Sequence, residues 1–165
     1  MTIKEAAKKL TTFLINSHKN LSCSESCTGG WAAKAITDIP GVSACFVGAV
    51  VAYSNFAKSS FLSVPETTIQ QYGAVSEETA AAMAIGSAMA FGSNYAFSIT
   101  GIAGPDGGSK EKPVGTVCFG FYGQDKVISK MQIFRGNRNS IRKQAVLYAL
   151  NGMLAFCQSA MGQVF

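Results

Sequence analysis

The stretch that decides the fold is NLSCSESCTGGWAAKAITDI, residues 20–39, because it passes from a strand through a glycine turn into a helix. Its first part, Asn20–Cys23, is short and partly apolar, which predicts a strand. Thr28-Gly29-Gly30 predicts the turn, and Trp31–Ile39 predicts a helix that Pro40-Gly41 ends. A strand that feeds a helix is the basic unit of α/β domains.

The same alternation continues on both sides of this stretch. Helices are expected over residues 3–18, 56–62, 65–73, 77–91 and 140–162, and strands over residues 46–53, 94–100, 114–122 and 126–134. Gly123-Gln124-Asp125 separates the last two strands and is short enough to force an antiparallel hairpin. The sequence therefore predicts one α/β domain over residues 1–165: a three-layer α/β/α sandwich with a mixed, mostly parallel sheet and a C-terminal antiparallel hairpin.

The composition is apolar and poor in charge. Of the 165 residues, 48% are hydrophobic and 14% are charged, against about 25% charged in an average globular domain. This balance excludes intrinsic disorder and favours a thickly covered sheet. The apolar stretches are shorter than the roughly 20 residues of a membrane-spanning helix, so no membrane segment is expected. The apolar excess also favours a homo-oligomer, with a dimer as the first expectation.

The net charge of +5 permits an anionic partner. The 14 Lys and Arg residues are scattered rather than grouped in a polybasic block, which disfavours nucleic acid and favours a phosphate-bearing small molecule. The N-terminus shows no apolar signal core, which predicts a cytoplasmic protein. The five cysteines, an odd number without a C-x-x-C pair, are expected to be reduced thiols, mostly in the core.

Several fingerprints of metal and cofactor chemistry are missing from the sequence. His18 is the only histidine and is expected at the surface, which leaves neither a Ser-His-Asp triad nor a zinc set. The sequence has no D-x-D or H-E-x-x-H arrangement, and it lacks the glycine motifs that bind ATP and dinucleotides. No metal and no cofactor are therefore expected.

The turn before the second helix is the first place that could carry chemistry. A hydroxyl at Ser26 or a thiol at Cys27 would stand over a helix N-terminus, whose free N–H groups can stabilise a phosphate or an oxyanion. A thiol there is also expected to have a lowered pKa, which makes Cys27 a credible nucleophile. An ordinary N-cap turn explains the same residues and, for this segment alone, is the better explanation.

The second such place is the end of the second predicted strand. The strand is expected to end at Tyr53, and Ser54-Asn55 offers N-cap chemistry for the helix that contains Lys58. A cation in the first turn opposes the helix dipole, which lowers its pKa and suits it to act as a base. A Ser/Lys pair would then replace a histidine in activating a serine, with Tyr53 relaying a proton or holding Lys58. A solvated helix lysine beside a tyrosine is the commoner situation.

The third and fourth places are a glycine loop and a basic helix start. Residues 100–108 follow a predicted central strand at its carboxyl end, where α/β sheets bind ligands. Four basic residues surround the start of the last helix, which is its electropositive end: Arg135, Arg138, Arg142 and Lys143. A phosphate bound by Arg138 and Arg142 would explain them, and so would simple exposure to solvent.

Together, these segments resemble the C-terminal domain family of the competence-damage-inducible protein CinA, whose stand-alone members are nicotinamide mononucleotide deamidases. The matching stretches, in the family's order and spacing, are residues 25–30, 53–55 with Lys58, 73–77, 101–108 and 112–117. Ser24 departs from the pattern, in which a small residue such as alanine is expected. No stretch of the sequence matches the N-terminal domain of full-length CinA proteins, so the resemblance is to the single-domain form, which is the expectation for this chain.

The resemblance implies hydrolysis of the carboxamide of nicotinamide mononucleotide to nicotinic acid mononucleotide and ammonia. It implies that Ser26 is the nucleophile, that Lys58 is its general base and that Tyr53 assists. The other residues that it implies for binding the substrate are Cys27, Thr28, Gly29, Gly30, Ser54, Asn55, Thr100, Gly101, Ile102, Ala103, Gly104, Arg138 and Arg142. A non-catalytic nucleotide-binding module of the same family is the alternative.

Overall fold

The fold was analysed in a computed structural model that describes residues 1–162. The helices are α1 Ile3–Asn16, α2 Trp31–Thr37, α3 Asn55–Leu62, α4 Glu66–Tyr72, α5 Glu77–Phe91 and α6 Arg138–Ala160, with a short 3₁₀ turn at Val42–Ala44. The strands are β1 Leu21–Glu25, β2 Phe46–Val51, β3 Tyr95–Gly101, β4 Thr116–Gly123 and β5 Lys126–Ile133. Every predicted helix and strand is present, with ends that shift by a few residues.

The five strands form one mixed sheet in the order β2-β1-β3-β4-β5. Strand β1 runs parallel to both β2 and β3, and β4 is antiparallel to both β3 and β5, so four strands point the same way. Glu25, the last residue of β1, pairs with Val51 on one side and with Ile99 on the other. The carboxyl ends of three neighbouring parallel strands therefore meet at one edge, where α/β sheets bind ligands.

Helices cover both faces of the sheet, which confirms the predicted three-layer α/β/α sandwich. One face carries α1, α2 and α6, and the other carries α3, α4 and α5. The larger apolar core fills the first face and includes the fully buried side chains Leu10, Leu21, Phe97, Phe119 and Leu150. A smaller apolar cluster lies under α3 and α5.

Helix α5 lies unusually close to the sheet because the side chains between them are small. The hydroxyl of Ser98 donates to the carbonyl oxygen of Ala80, and that of Ser24 donates to Met83 at 3.2 Å. A Cβ atom at Gly120 of β4 would come within 2.3 Å of the Ala80 oxygen. Buried hydroxyl groups thus bind the backbone of the helix, and only the smallest side chains fit beneath it.

The predicted hairpin and helix starts are confirmed. Gln124 and Asp125, between β4 and β5, have φ values of 52° and 57°, as a two-residue turn of type I′ requires. Ser54 caps α3 by accepting from the N–H of Ala57 at 3.1 Å. His18 is exposed and all five cysteines are free and buried, as expected. Within residues 1–162, no helix combines the length and the apolar character needed to cross a membrane.

Candidate active site

The turn between β1 and α2, residues 26–30, is anchored by the residue before it. The carboxylate of Glu25, which is 0% exposed, accepts from the N–H groups of Gly30 at 3.2 Å, Ala32 at 3.1 Å and Ala33 at 2.8 Å. A negative charge at this position also suits the positive end of the helix dipole. An internal carboxylate therefore occupies the N-terminus of α2, where the sequence suggested an anion site.

The N–H groups of the β1–α2 turn divide into two sets. Gly29 donates to the carbonyl of Ser26 at 3.1 Å, and Gly30 donates to Glu25. Among residues 1–162, the N–H groups of Cys27 and Thr28 have no oxygen acceptor. The N–H of Cys27 faces the sulfur of its own thiol, so the N–H of Thr28 is the one N–H of the turn after Ser26 that has no partner among these residues.

Ser26 and Lys58 are in direct contact. The Nζ atom of Lys58 lies 3.1 Å from Ser26 Oγ, 3.2 Å from the carbonyl oxygen of Ala52 and 3.4 Å from that of Tyr53. Lys58 is 1% exposed and Ser26 is 8% exposed. The serine hydroxyl therefore has a lysine amine as its neighbour inside the protein, at a distance that allows proton transfer between them.

The pKa of Lys58 is lowered, in the direction that the sequence predicted. Burial of the amine, which disfavours its charged form, is the largest cause, and the nearby Cys27 acts weakly in the opposite direction. The sequence had attributed the lowering to the dipole of α3, whereas burial dominates. The depth of the side chain also rules out a solvated helix lysine.

The expectation for Cys27 is wrong. Burial raises the pKa of its thiol to about 12, and the charge of Glu25 also raises it, while the N–H of Cys27 itself and the charges of Arg142 and Lys58 lower it by less than burial raises it. A helix N-terminus lowers the pKa of a thiol when it faces solvent, but here Glu25 already fills that position and Cys27 is only 5% exposed. A thiolate is therefore disfavoured, and Ser26 is the better nucleophile of the two.

A cavity of about 280 Å³ opens over Ser26 at the carboxyl edge of the sheet. It is lined by Ser26, Cys27, Tyr53, Asn55, Lys58, Ala74, Val75, Thr100, Gly101, Ile102, Ala103, Gly104, Asp106, Gly107 and Arg138. A larger groove of about 460 Å³ between α1 and α6 has neither this serine nor this lysine in its lining. The smaller cavity is therefore the candidate active site.

Most of the residues expected at the site line this cavity, and five do not. Within the part of the chain that the structure describes, Thr28, Gly29, Gly30, Ser54 and Arg142 are outside the lining. Four lining residues, Ala74, Val75, Asp106 and Gly107, are not among the site residues that the resemblance implied. All four lie in stretches that the sequence singled out, residues 73–77 and 100–108. The side chains of Ala74 and Val75 carry no chemical signal of their own.

Tyr53 contributes to the site through two different groups. Its backbone carbonyl accepts from Lys58 Nζ and from the hydroxyl of Ser26, each at 3.4 Å. Its phenol oxygen accepts from Arg138 at 3.1 Å instead of contacting Lys58. Arg138 also donates to the carbonyl of Gly104 at 2.8 Å. The exposed guanidinium thus links the phenol to the glycine loop at the cavity mouth.

One backbone and two side-chain hydrogen bonds hold the start of the glycine loop and the segment that follows it. Ile102 donates to Thr116 at 2.9 Å, and Thr100 Oγ1 donates to the carbonyl of Ala74 at 2.8 Å. Beyond the loop, Lys112 Nζ donates to the carbonyl of Tyr72 at 2.7 Å. The segment that contains the loop is therefore bound to the sheet and to the end of α4, and the loop lines the cavity between these contacts.

Arg142 faces the β1–α2 turn rather than the cavity. Its Nε donates to the carbonyl of Cys27 at 3.0 Å, and its second nitrogen donates to the carbonyl of Thr28 at 3.1 Å. Its guanidinium also lies 5.4 Å from the ring centre of Trp31. These contacts hold the guanidinium on the backbone of the turn.

The arrangement is suited to acyl transfer on an anionic substrate. Ser26 supplies a hydroxyl, Lys58 supplies a buried amine with a lowered pKa, and Arg138 supplies a positive charge at the mouth. Residues 1–162 contain no cluster of side chains that could hold a metal ion.

Known proteins resemble this chain over most of its length. The family model described as the CinA C-terminal domain matches residues 3–157. The nicotinamide-nucleotide amidohydrolase PncC of Enterobacter agglomerans is 54% identical over 135 residues, which is 81% of this chain and 82% of that protein. The protein of the same name from Escherichia coli K12 is 53% identical over 131 residues, 79% of each chain. The crystal structure of the competence/damage inducible protein CihA from Agrobacterium tumefaciens superposes with a TM-score of 0.91 at 39% identity, covering 94% of this chain and 96% of that one.

Proposed function

This chain belongs to the CinA C-terminal domain family, and from that premise we propose that it hydrolyses the carboxamide of nicotinamide mononucleotide to nicotinic acid mononucleotide and ammonia. The names of relatives at 54% and 53% identity support this substrate. The observation that carries the proposal is the 3.1 Å contact between Lys58 Nζ and Ser26 Oγ inside the cavity. A metal-independent amidase needs such an activated nucleophile.

The reaction begins with attack of Ser26 Oγ on the carboxamide carbon, which the positive pyridinium ring makes electrophilic. Lys58 accepts the hydroxyl proton and passes it to the leaving nitrogen, so that the C–N bond breaks and ammonia departs. The products of this half are ammonia and an acyl-enzyme on Ser26. A water molecule, deprotonated by the same Lys58, then attacks the acyl carbon, and the proton returns to Ser26 as the acid leaves.

The oxyanion of each tetrahedral intermediate needs hydrogen-bond donors. We assign this role to the N–H groups of Cys27, which lines the cavity, and of Thr28, the next residue, which lies just outside the lining; neither N–H has an oxygen acceptor among residues 1–162. Those of Gly29 and Gly30, expected here from the sequence, are bound to Ser26 and Glu25 and serve to hold the turn instead.

The phosphate of the substrate is assigned to Arg138. Its guanidinium lines the cavity mouth beside the Tyr53 hydroxyl, and no carboxylate is bound to it in the described part of the chain. Tyr53 therefore assists by positioning Arg138 and the substrate rather than by relaying a proton. The glycine loop, residues 101–108, forms the wall against which the pyridine ring packs. A cytoplasmic location and a homo-oligomeric state stay predictions from the sequence.

The proposal is tested by incubating the purified protein, without added metal, with nicotinamide mononucleotide, nicotinamide riboside or nicotinamide, and measuring ammonia and the acid product. Product from the mononucleotide alone is expected. Ser26→Ala is expected to abolish it, whereas Cys27→Ala is expected to retain it because the thiol is protonated at neutral pH. Binding of the mononucleotide without any product would refute the proposal and favour the non-catalytic module.

A further inference from the structure

Arg142 lies outside the cavity lining, yet it contacts the turn that carries the nucleophile. It comes from α6, 115 residues from Cys27 and 114 from Thr28, and it donates to the carbonyl oxygens of both. Its guanidinium is half-buried against the ring of Trp31, the first residue of α2. None of the proposed steps of the reaction uses its side chain.

The direction of the two carbonyl groups matters because a trans peptide is planar. The carbonyl of Cys27 and the N–H of Thr28 belong to the same peptide and point in opposite directions. When Arg142 binds the carbonyl, it therefore fixes the N–H on the other side, and that N–H has no oxygen acceptor among the described residues. A cation on the carbonyl also polarises the peptide and strengthens its N–H as a donor.

Two side chains of opposite charge, Glu25 and Arg142, bind the backbone of the turn at two places. The Glu25 carboxylate binds the N–H groups at its helical end, and the Arg142 guanidinium binds its carbonyls. We propose that Arg142 is a positioning residue, which holds the turn so that Ser26 stays within reach of Lys58 and the Thr28 N–H is oriented for the oxyanion. This inference rests on the proposed function for the identity of the reaction, but not for the geometry of the turn.

The competing role, a ligand of the substrate phosphate, makes different predictions. A phosphate ligand acts on KM and has no effect on reagents that carry no nucleotide. A positioning residue acts on kcat, because it alters the transition state and leaves substrate binding alone. An arginine fork matches two neighbouring carbonyl oxygens, and a single ammonium group does not.

The experiment compares Arg142→Ala and Arg142→Lys with Arg138→Ala and with Lys143→Ala, an exposed neighbour in α6 that serves as the matched control. We expect kcat on nicotinamide mononucleotide to fall by about 100-fold in Arg142→Ala, as for a small displacement of a reacting group, with KM unchanged. Free guanidinium ion at a non-denaturing concentration should restore part of the rate in this variant. A rise in KM with kcat retained, as expected for Arg138→Ala, would overturn the inference.

A second readout does not depend on the substrate. A fluorophosphonate probe forms a P–O bond with Ser26 Oγ as fluoride leaves and Lys58 takes the hydroxyl proton, and intact mass gives the labelling rate. Slower labelling of Arg142→Ala than of Lys143→Ala supports the positioning role, and equal rates overturn it, even if the wild-type protein turns over no nucleotide. If Arg142→Ala does not fold, Arg142→Lys, which keeps the charge and most of the side chain, carries both measurements.

Discussion

Replacement of Glu25 by glutamine changes one buried atom at the base of the active-site turn. The carboxylate oxygen Oε2 accepts from Gly30 and Ala32, and Oε1 accepts from Ala33 at 2.8 Å. If the glutamine keeps its oxygen on the N–H groups of Gly30 and Ala32, its NH₂ group points toward the N–H group of Ala33. One bond is then lost, and two donors face each other in the interior.

The expected loss of stability has two parts. An unpaired buried donor costs about 1–3 kcal/mol, and removing the negative charge from the N-terminus of α2 costs up to about 2 kcal/mol more. Together the change is expected to lower the free energy of unfolding by about 1–5 kcal/mol, out of a total of about 5–15 kcal/mol for a typical domain. Turnover is expected to fall as well, because Ser26 follows Glu25 directly.

Urea unfolding followed by tryptophan fluorescence measures this loss directly. Trp31 is the only tryptophan, and it is the first residue of the helix that Glu25 caps. Glu78→Gln is the matched control, because Glu78 is an exposed acid in the first turn of α5; its effect is expected to stay within about 0.5 kcal/mol. An effect of Glu25→Gln no larger than that of the control would refute the role given to this carboxylate.

Five further predictions concern Lys58, Cys27 and Gly86. Turnover is expected to rise with pH through the pKa of Lys58, because only the neutral amine accepts the proton of Ser26. The midpoint of this rise should lie below pH 10.5, the usual pKa of a lysine, since burial lowers the pKa of Lys58. A flat pH–rate profile would contradict this. Lys58→Met should lower turnover by about 100-fold or more, as loss of a general base does. The same substitution should also remove a pH dependence of the free energy of unfolding. Between the folded and unfolded pKa values of Lys58 the unfolded chain binds more protons, so the wild-type protein gains stability as the pH rises through that window. Urea midpoints of the wild type and Lys58→Met that change with pH by the same slope would argue against this. Cys27 should react only slowly with iodoacetamide at neutral pH, since its pKa is about 12, and mass spectrometry of the labelled protein checks this. Gly86→Ala should lower the thermal midpoint, because a Cβ there would lie 1.8 Å from the backbone oxygen of Leu62 and overpacking of this kind costs about 1–3 kcal/mol or more; an unchanged midpoint would show that α5 moves freely.

Local patterns were enough to predict the elements of this fold, whereas for Ser26 and Lys58 they left an N-cap turn and a solvated lysine as the commoner explanations, and the family resemblance selected the pair. The hairpin could be predicted because the three residues Gly123-Gln124-Asp125 between the two strand-like runs leave few other connections. Ser26 and Lys58 follow the ends of β1 and β2, and adjacent parallel strands bring their carboxyl ends together. Their proximity therefore follows from the order of the elements.

The surroundings of that pair could not be predicted, because they depend on contacts between distant parts of the chain. Arg142 was expected at a phosphate from its place at a helix start, and its carbonyl partners are more than a hundred residues away. The thiol of Cys27 was expected to be acidic because the sequence does not show that Glu25 fills the helix end. Burial is the largest cause of the raised pKa of Cys27 and of the lowered pKa of Lys58, and it is a property of the folded protein that the sequence does not show.

The close packing of α5 against the sheet determines which side of the cavity can be redesigned. Ala74 and Val75, just before α5, form one wall of the cavity. The backbone of α5 accepts hydrogen bonds from serine hydroxyls of the sheet and lies directly over Gly120, so the helix cannot move closer to the sheet. A library meant to admit bulkier amides would gain no volume on this side, because enlarging or shifting the wall would unseat the helix. Variation at the exposed Asp106, which lines the cavity from the glycine loop, is the route by which a new substrate range could be selected without losing the scaffold.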